Sequence, residues 1–203
     1  LEFRRVLFRS VPVGESIVSP PSHCPNCQRQ LSWYENLPLL GFLLAGGKCR
    51  GCGLLISRRY PLTELVTACL FVGAVLSNGV TLATLSLFGL AVVTMPLLLI
   101  DLDLKRLPNP LTAAAFGWGL LCTALSALSA HDFGVLTAPL LSSFFGAAAF
   151  FLLNVVSRGG MGMGDVKLVG GLGLLLGVIS WRAFATGIAL AFLLGGLVGI
   201  GML

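Results

Sequence analysis

Six apolar runs fill the chain after Pro61, at about residues 62–76, 82–100, 111–130, 136–156, 166–180 and 183–203. Lipid offers no hydrogen bonds, so a spanning segment must satisfy its own backbone, as a helix of about 20 apolar residues does. Runs of this kind predict an all-α polytopic membrane protein with about six transmembrane helices. The first and fifth are short for a full crossing, so tilt, local thinning or wider helix bounds are expected there. Only 10% of the residues are charged and 56% are hydrophobic, against about 25% charged in a soluble domain. The formal net charge of +5 therefore bears on membrane orientation and not on nucleic acid. Gly170, Gly171, Gly173 and Gly177 crowd the fifth run, which predicts close helix packing. The sequence shows no internal repeat.

Lysine and arginine placement sets the orientation. Outside residues 1–10 there are ten such residues. Arg29, Lys48, Arg50, Arg58 and Arg59 precede the first run, Lys105 and Arg106 follow the second, and Arg158 and Lys167 flank the fourth-to-fifth connection. That puts nine on one side and only Arg182 on the other. The excess predicts a cytoplasmic amino-terminal segment.

Residues 11–60 have the composition of a small polar domain, and residues 61–203 that of a transmembrane domain. Residues 1–10, LEFRRVLFRS, read as an adapter or other non-native segment, with no apolar stretch long enough for a signal peptide. The chain stops inside an apolar run, so both ends read as truncated. The polar domain carries Cys24-Pro-Asn-Cys27 and Cys49-Arg-Gly-Cys52, two knuckles separated by 21 residues. Each presents two thiolates from one tight turn, and convergence of the two turns would make a tetrahedral four-thiolate zinc site. About fifty residues bury little core, so a metal would be an effective staple. Two disulfides are the rival arrangement and require an oxidising compartment; a cytoplasmic domain favours structural zinc. Cys69 and Cys122 lie in apolar runs and are expected as small core residues. Residues 37–45 are apolar but too few to span.

Carboxylates at membrane edges carry the chemistry. Asp101 ends the second run, and Asp165 opens the fifth behind Gly162-Met163-Gly164. With the orientation above, both lie at the cytoplasmic boundary. Two carboxylates facing one another there would share a proton, because like charges a few ångströms apart do not both ionise cheaply. One would then activate water while the other protonates the scissile group, which suits aspartyl proteolysis. Gly162 and Gly164 would let the chain turn sharply and approach a substrate strand, and Lys167 would hold the loop at the headgroups or bias one carboxylate. The pattern alone equally allows Asp101 to mark a helix end and Asp165 to cap the next helix. A proton relay in a transporter, or a knuckle scaffold without catalysis, are the alternative classes. His23 and His131 are expected as loop histidines, and Asp103 and Asp132 as solvated loop acids. Glu64, just inside the first run, is open between a helix-start carboxylate and a substrate contact.

Several stretches together resemble the bacterial type IV prepilin peptidases, membrane aspartyl proteases of the GxGD kind. They are residues 12–18, the two cysteine knuckles, Trp33-Tyr34-Glu35-Asn36-Leu37-Pro38, and Ile56-Ser57-Arg58-Arg59-Tyr60-Pro61 with Glu64. Asp101 with Pro108 fits the family's D-x6-P pattern, and Gly162-Met163-Gly164-Asp165-Val166-Lys167-Leu168 fits G-x-G-D-x-K-L. The resemblance implies that Asp101 and Asp165 are the catalytic pair, supported by Gly162, Gly164 and Lys167. It implies prepilin and pseudopilin substrates, a bacterial cytoplasmic membrane location and an active site facing the cytoplasm. It also implies a second activity, N-methylation of the new amino terminus with S-adenosylmethionine. Asn109 stands where many members have aspartate, and the family's first membrane helix is absent from its expected place.

Overall fold

The computed structural model describes residues 23–201 apart from Pro25, Arg106 and Gly159, and the side chains only as far as residue 197. Residues 1–10, the stretch 12–18 and Arg106 lie outside the described residues. The architecture is all-helical; among the described residues the only extended pairings are two isolated bridges, His23 with Gln30 and Lys48 with Leu55. A 3-10 turn at Trp33–Asn36 precedes a one-turn helix, α1 (Leu40–Leu44). The long helices are α2 (Arg59–Asn78), α3 (Leu82–Leu104), α4 (Asn109–Ala130), α5 (Thr137–Val156), α6 (Met163–Gly177) and α7 (Trp181–Gly201). Each of the six apolar runs is a helix.

Among the described residues, four segments are long and apolar enough to cross a bilayer, at Arg59–Asn78, Leu82–Leu104, Asn109–Ala130 and Phe133–Val156. α6 has 15 residues, about 22 Å of rise, short of the ~30 Å hydrocarbon core. α7 is apolar along Trp181–Leu197.

The chain forms two compact units, one of residues 1–73 with 94–108 and one of residues 74–93 with 109–203. In the first, Cys24, Leu31, Cys49, Ile56 and Tyr60 make a buried cluster against which Phe42, Ala45 and Leu54 pack. The core of this small domain is thus built on the cysteines themselves. Along α2, Leu62, Leu65, Val66 and Leu70 are exposed, as for a lipid-facing helix. Cys69 shares that exposure, so it is not the core residue expected from its apolar run; hydropathy cannot tell a lipid-facing position from a packed one. Cys122 on α4 is buried as expected.

In the second unit α6 is wedged between α4 and α5, and its glycines set the separation. A Cβ on Gly171 would lie 3.2 Å from the Phe116 amide nitrogen on α4, and one on Gly173 would lie 2.6 Å from Ser143 Cα on α5. Gly177 meets the Pro139 backbone in the same way. These contacts are main chain against main chain, the close approach that small residues permit in lipid. Leu174 and Leu175 fill the space between them, fully buried. Ser86 on α3 donates its hydroxyl to the Leu175 carbonyl at 2.6 Å, so that buried hydroxyl is satisfied.

Candidate active site and metal centre

Asp101 sits in the last turn of α3, exposed, and its carbonyl accepts the Lys105 N–H at 2.9 Å. Lys105 adopts a left-handed backbone, φ 50°, a common way to terminate a helix. Asp103 is not a loop acid. It lies within α3, where Arg59 Nη1 reaches both of its carboxylate oxygens, at 3.0 and 3.1 Å. The helix continues past the apolar run to Leu104, which turns Asp103 towards the first residue of α2.

Asp165 occupies the third position of α6, behind Gly162 as N-cap residue with φ −69° and ψ 142°. Its N–H donates to the Gly162 carbonyl at 3.1 Å. Glycine at the cap has no side chain to offer the free helical N–H groups, and a carboxylate in the first turn lies in the favourable field of the helix start. Neither Gly162 nor Gly164 has a positive φ, so the bend before α6 is made without a left-handed backbone at either glycine. What glycine supplies is space: a Cβ at Gly162 would lie 3.3 Å from Asp165 Oδ2. The incoming connection is held by Asn154, whose amide donates to the Met161 carbonyl. Lys167 Nζ donates to Asn109 Oδ1 at 3.0 Å, tying the first turns of α6 to the start of α4.

The four knuckle sulfurs converge, all within 4.8 Å of one another. Cys24 and Cys52 are 3.7 Å apart at sulfur, and Cys27 and Cys49 3.8 Å. A tetrahedral zinc with Zn–S bonds of about 2.3 Å separates its sulfurs by about 3.8 Å, so the donor set fits that ion. Each knuckle folds on its own backbone: Cys24 N–H donates to the Arg29 carbonyl at 2.9 Å, and Cys49 N–H to the Leu54 carbonyl at 2.8 Å. The residue after the second cysteine is left-handed in both, Gln28 with φ 55° and Gly53 with φ 70°. The Asn26 side chain and then the Leu54 N–H stabilise the Cys52 thiolate, and its pKa falls to about 6. The Arg29 N–H favours the Cys27 thiolate, but desolvation and three neighbouring sulfurs outweigh it and push this thiol up to about 11. Four cysteine sulfurs converging at this spacing are suited to exchange their protons for a cation.

Beneath the knuckles lies a pair that sequence reading did not single out. Glu35 is buried at 4% exposure and accepts from Arg29 Nη2 at 2.6 Å and from the Ser32 N–H at 2.8 Å. Burial alone raises this carboxyl, but the Ser32 and Arg29 donors overcome it and hold it below its usual value. Ser32-x-x-Glu35 has capping-box spacing, the local signal for the Glu35 half of the pair. Glu64 resolves into a structural contact: Oε2 accepts the Leu39 N–H at 2.7 Å. Asp132 accepts from the Gly134 N–H at 2.7 Å and so caps its turn. His131 lies in the turn before it and His23 at an isolated bridge.

Comparison with known proteins adds the family. Residues 2–78 match the bacterial Peptidase A24 N-terminal domain, and residues 87–200 match the Type IV leader peptidase family. The chain belongs to the type IV leader peptidase family. A prepilin leader peptidase/N-methyltransferase of Myxococcus xanthus is 36% identical over 201 residues, covering 99% of this chain and 59% of that relative. One from Aeromonas salmonicida is 36% identical over 216 residues, covering 100% and 70%. One from Bacillus subtilis is 37% identical over 196 residues, covering 93% and 73%. The chain thus spans 59% to 73% of the length of these three relatives. No solved structure matches it. Neither matched family nor any of these three relatives is named as a transporter, and the proton-relay alternative has no support among them.

Proposed function

We propose that this chain carries the catalytic part of a membrane aspartic endopeptidase that removes the leader from type IV prepilins and type II secretion pseudopilins. The observation that supports it most is the setting of the two aspartates. Asp101 lies in the last turn of α3 and Asp165 in the first turn of α6, in family motifs and within the segment that matches the peptidase family. Alternating spans between α3 and α6 would put both ends on one membrane side, and the lysine and arginine excess supports a cytoplasmic one.

In this reading the aspartates share one proton. The ionised carboxylate takes a proton from water, and the protonated one donates to the scissile amide as the tetrahedral centre forms and breaks. Gly162, lacking a side chain, leaves the flank of the Asp165 carboxylate uncovered for an extended substrate strand. Lys167, through Asn109, keeps the first turns of α6 in place. The pH dependence of cleavage belongs to the pair, as two apparent ionisations.

Residues 11–60 act as a cytoplasmic knuckle domain with structural zinc on Cys24, Cys27, Cys49 and Cys52, and residues 61–203 as the peptidase domain. Zinc would cross-link the two knuckles and take no part in the hydrolysis. The relatives' names support N-methylation of the new amino terminus, and the family resemblance supplies S-adenosylmethionine as its methyl donor. The cavity lined by Glu35, Gly41, Phe42, Tyr60 and Glu64 does not suit that donor's sulfonium, because both carboxylates are already engaged.

Leader cleavage of a prepilin in membranes tests the reading. Asp101→Asn and Asp165→Asn, each expressed at the level of the unsubstituted chain, are expected to abolish cleavage. Retained cleavage in either overturns the dyad.

A further inference from the structure

The apolar stretch 37–45 is unexplained by the peptidase chemistry, and its placement is informative. Leu39 opens α1 with φ 58°, and its N–H is held by Glu64 Oε2 at 2.7 Å. Glu64 is five residues into α2, counting from Arg59, about 7.5 Å along the axis. The start of α1 is therefore fixed at the level of the second turn of a membrane-spanning helix.

The two faces of α1 are both apolar. Gly41 is buried against the Glu35 backbone, and Phe42 and Ala45 pack on the cysteine core. Leu40, Leu43 and Leu44, at i, i+3 and i+4, form the other face and are 54%, 69% and 57% exposed. Scattered exposed leucines are ordinary, but three on one helical turn mark a contact surface. The stretch between Glu35 and Glu64 carries charge of one sign. Residues 36–63 contain Lys48, Arg50, Arg58 and Arg59 and no aspartate or glutamate. Arg50 is drawn onto this helix, donating to the Leu44 carbonyl at 2.8 Å with its guanidinium 5.3 Å from the Tyr34 ring centre.

We infer that α1 lies in the interface plane of the membrane that α2 crosses, with Leu40, Leu43 and Leu44 in the acyl boundary and Lys48 and Arg50 among anionic headgroups. The occupant of this face is lipid because the tether to Glu64 fixes it at the bilayer boundary and the cations of residues 36–63 complement anionic headgroups, Glu35 and Glu64 being engaged by Arg29 and by the Leu39 N–H. An apolar face flanked by cations is also the pattern of interfacial helices. The knuckle domain is on this view laid against the membrane and not suspended from it.

The test uses the full chain in nanodiscs of phosphatidylethanolamine and phosphatidylglycerol, with benzoylphenylalanine introduced at one position at a time. Leu152, 62% exposed on α5, is the lipid-facing reference, and Gln30, exposed in the knuckle domain, the aqueous one. Irradiation is expected to give phospholipid adducts from positions 43 and 152 and none from 30. Glu64→Ala is expected to reduce the adduct at 43 and leave that at 152, whereas Glu64→Gln, which still accepts from Leu39, keeps both. No lipid adduct at 43 while 152 labels overturns the inference, and so does an adduct at 43 to a protein, whether a second copy or another chain.

Discussion

Alanine in place of Gly173 probes whether α6 is positioned by backbone-to-backbone packing. The added Cβ would lie 2.6 Å from Cα and N of Ser143 and 2.7 Å from the carbonyl carbon of Ser142. Ordinary contact is 3.4–4 Å. All the obstructing atoms are main chain, so no rotamer change relieves the clash and α5 must part from α6 by roughly 1 Å, a gap that forfeits a quarter to a half of the dispersion attraction across it. Overpacking of this kind costs about 1–3 kcal/mol. Gly117 on α4 is the control, since a Cβ there meets nothing within 4 Å. Its replacement by alanine adds no clash and improves helix propensity. Thermal denaturation of the detergent-solubilised chain, followed by loss of the monodisperse chromatographic peak, reads the difference. For a chain of this size 1 kcal/mol corresponds to about 2–4 °C, so Gly173→Ala is expected to lower the midpoint by about 2–12 °C and Gly117→Ala not to lower it. Equal midpoints for the two variants would refute the packing argument.

Gln28 and Gly53 occupy equivalent left-handed positions, so exchanging them has opposite consequences. Gln28→Gly is expected to stabilise the knuckle domain by up to about 1 kcal/mol and Gly53→Gln to destabilise it by about as much, read as the denaturant midpoint of zinc release. Glu35 has a folded-state pKa below its ordinary 4.5, so its stabilisation is present above that value and is lost as pH falls through the lower one. Glu35→Gln removes about 1.5–3 kcal/mol of charged hydrogen bonding at neutral pH, and the gap between it and the unsubstituted chain is expected to close below pH 4.5 in acid unfolding. Elemental analysis is expected to find one zinc per chain, lost in a Cys24→Ser, Cys49→Ser double variant.

Much of this fold is legible in hydropathy because lipid enforces it: every apolar run is helical, and the glycines of the fifth run do pack closely. The bounds are less legible. α3 extends from the run's end at Ile100 to Leu104, and α6 begins at Met163 and not Val166, since terminal turns follow backbone hydrogen bonds and not side-chain polarity. That is why Asp101 and Asp165 lie within helices and not beside them. The cysteine spacing points to a candidate metal site, favoured over two disulfides once orientation is added, and the four sulfurs do converge. Arg59–Asp103 and Leu39–Glu64, 44 and 25 residues apart, were not, because nothing local in either partner announces the other. Cys69 was misplaced for a related reason. An apolar run reports that a residue avoids water, not whether its neighbour is protein or lipid.

Each knuckle contributes one buried sulfur, Cys24 or Cys49, and one exposed sulfur, Cys27 or Cys52. The cluster is therefore one-sided. Stability and lability would part company with an ion bound at such a site: the buried pair and the knuckle backbones would hold it, while the exposed pair would give incoming ligands a route to it. Metal exchange by a chelator would proceed by ligand substitution starting at Cys27 and Cys52, at a rate that depends on chelator concentration and does not wait for the domain to unfold. The same two sulfurs would be the first reached by an oxidant, which makes the open face of the cluster the point where the redox state of the surroundings acts on this domain.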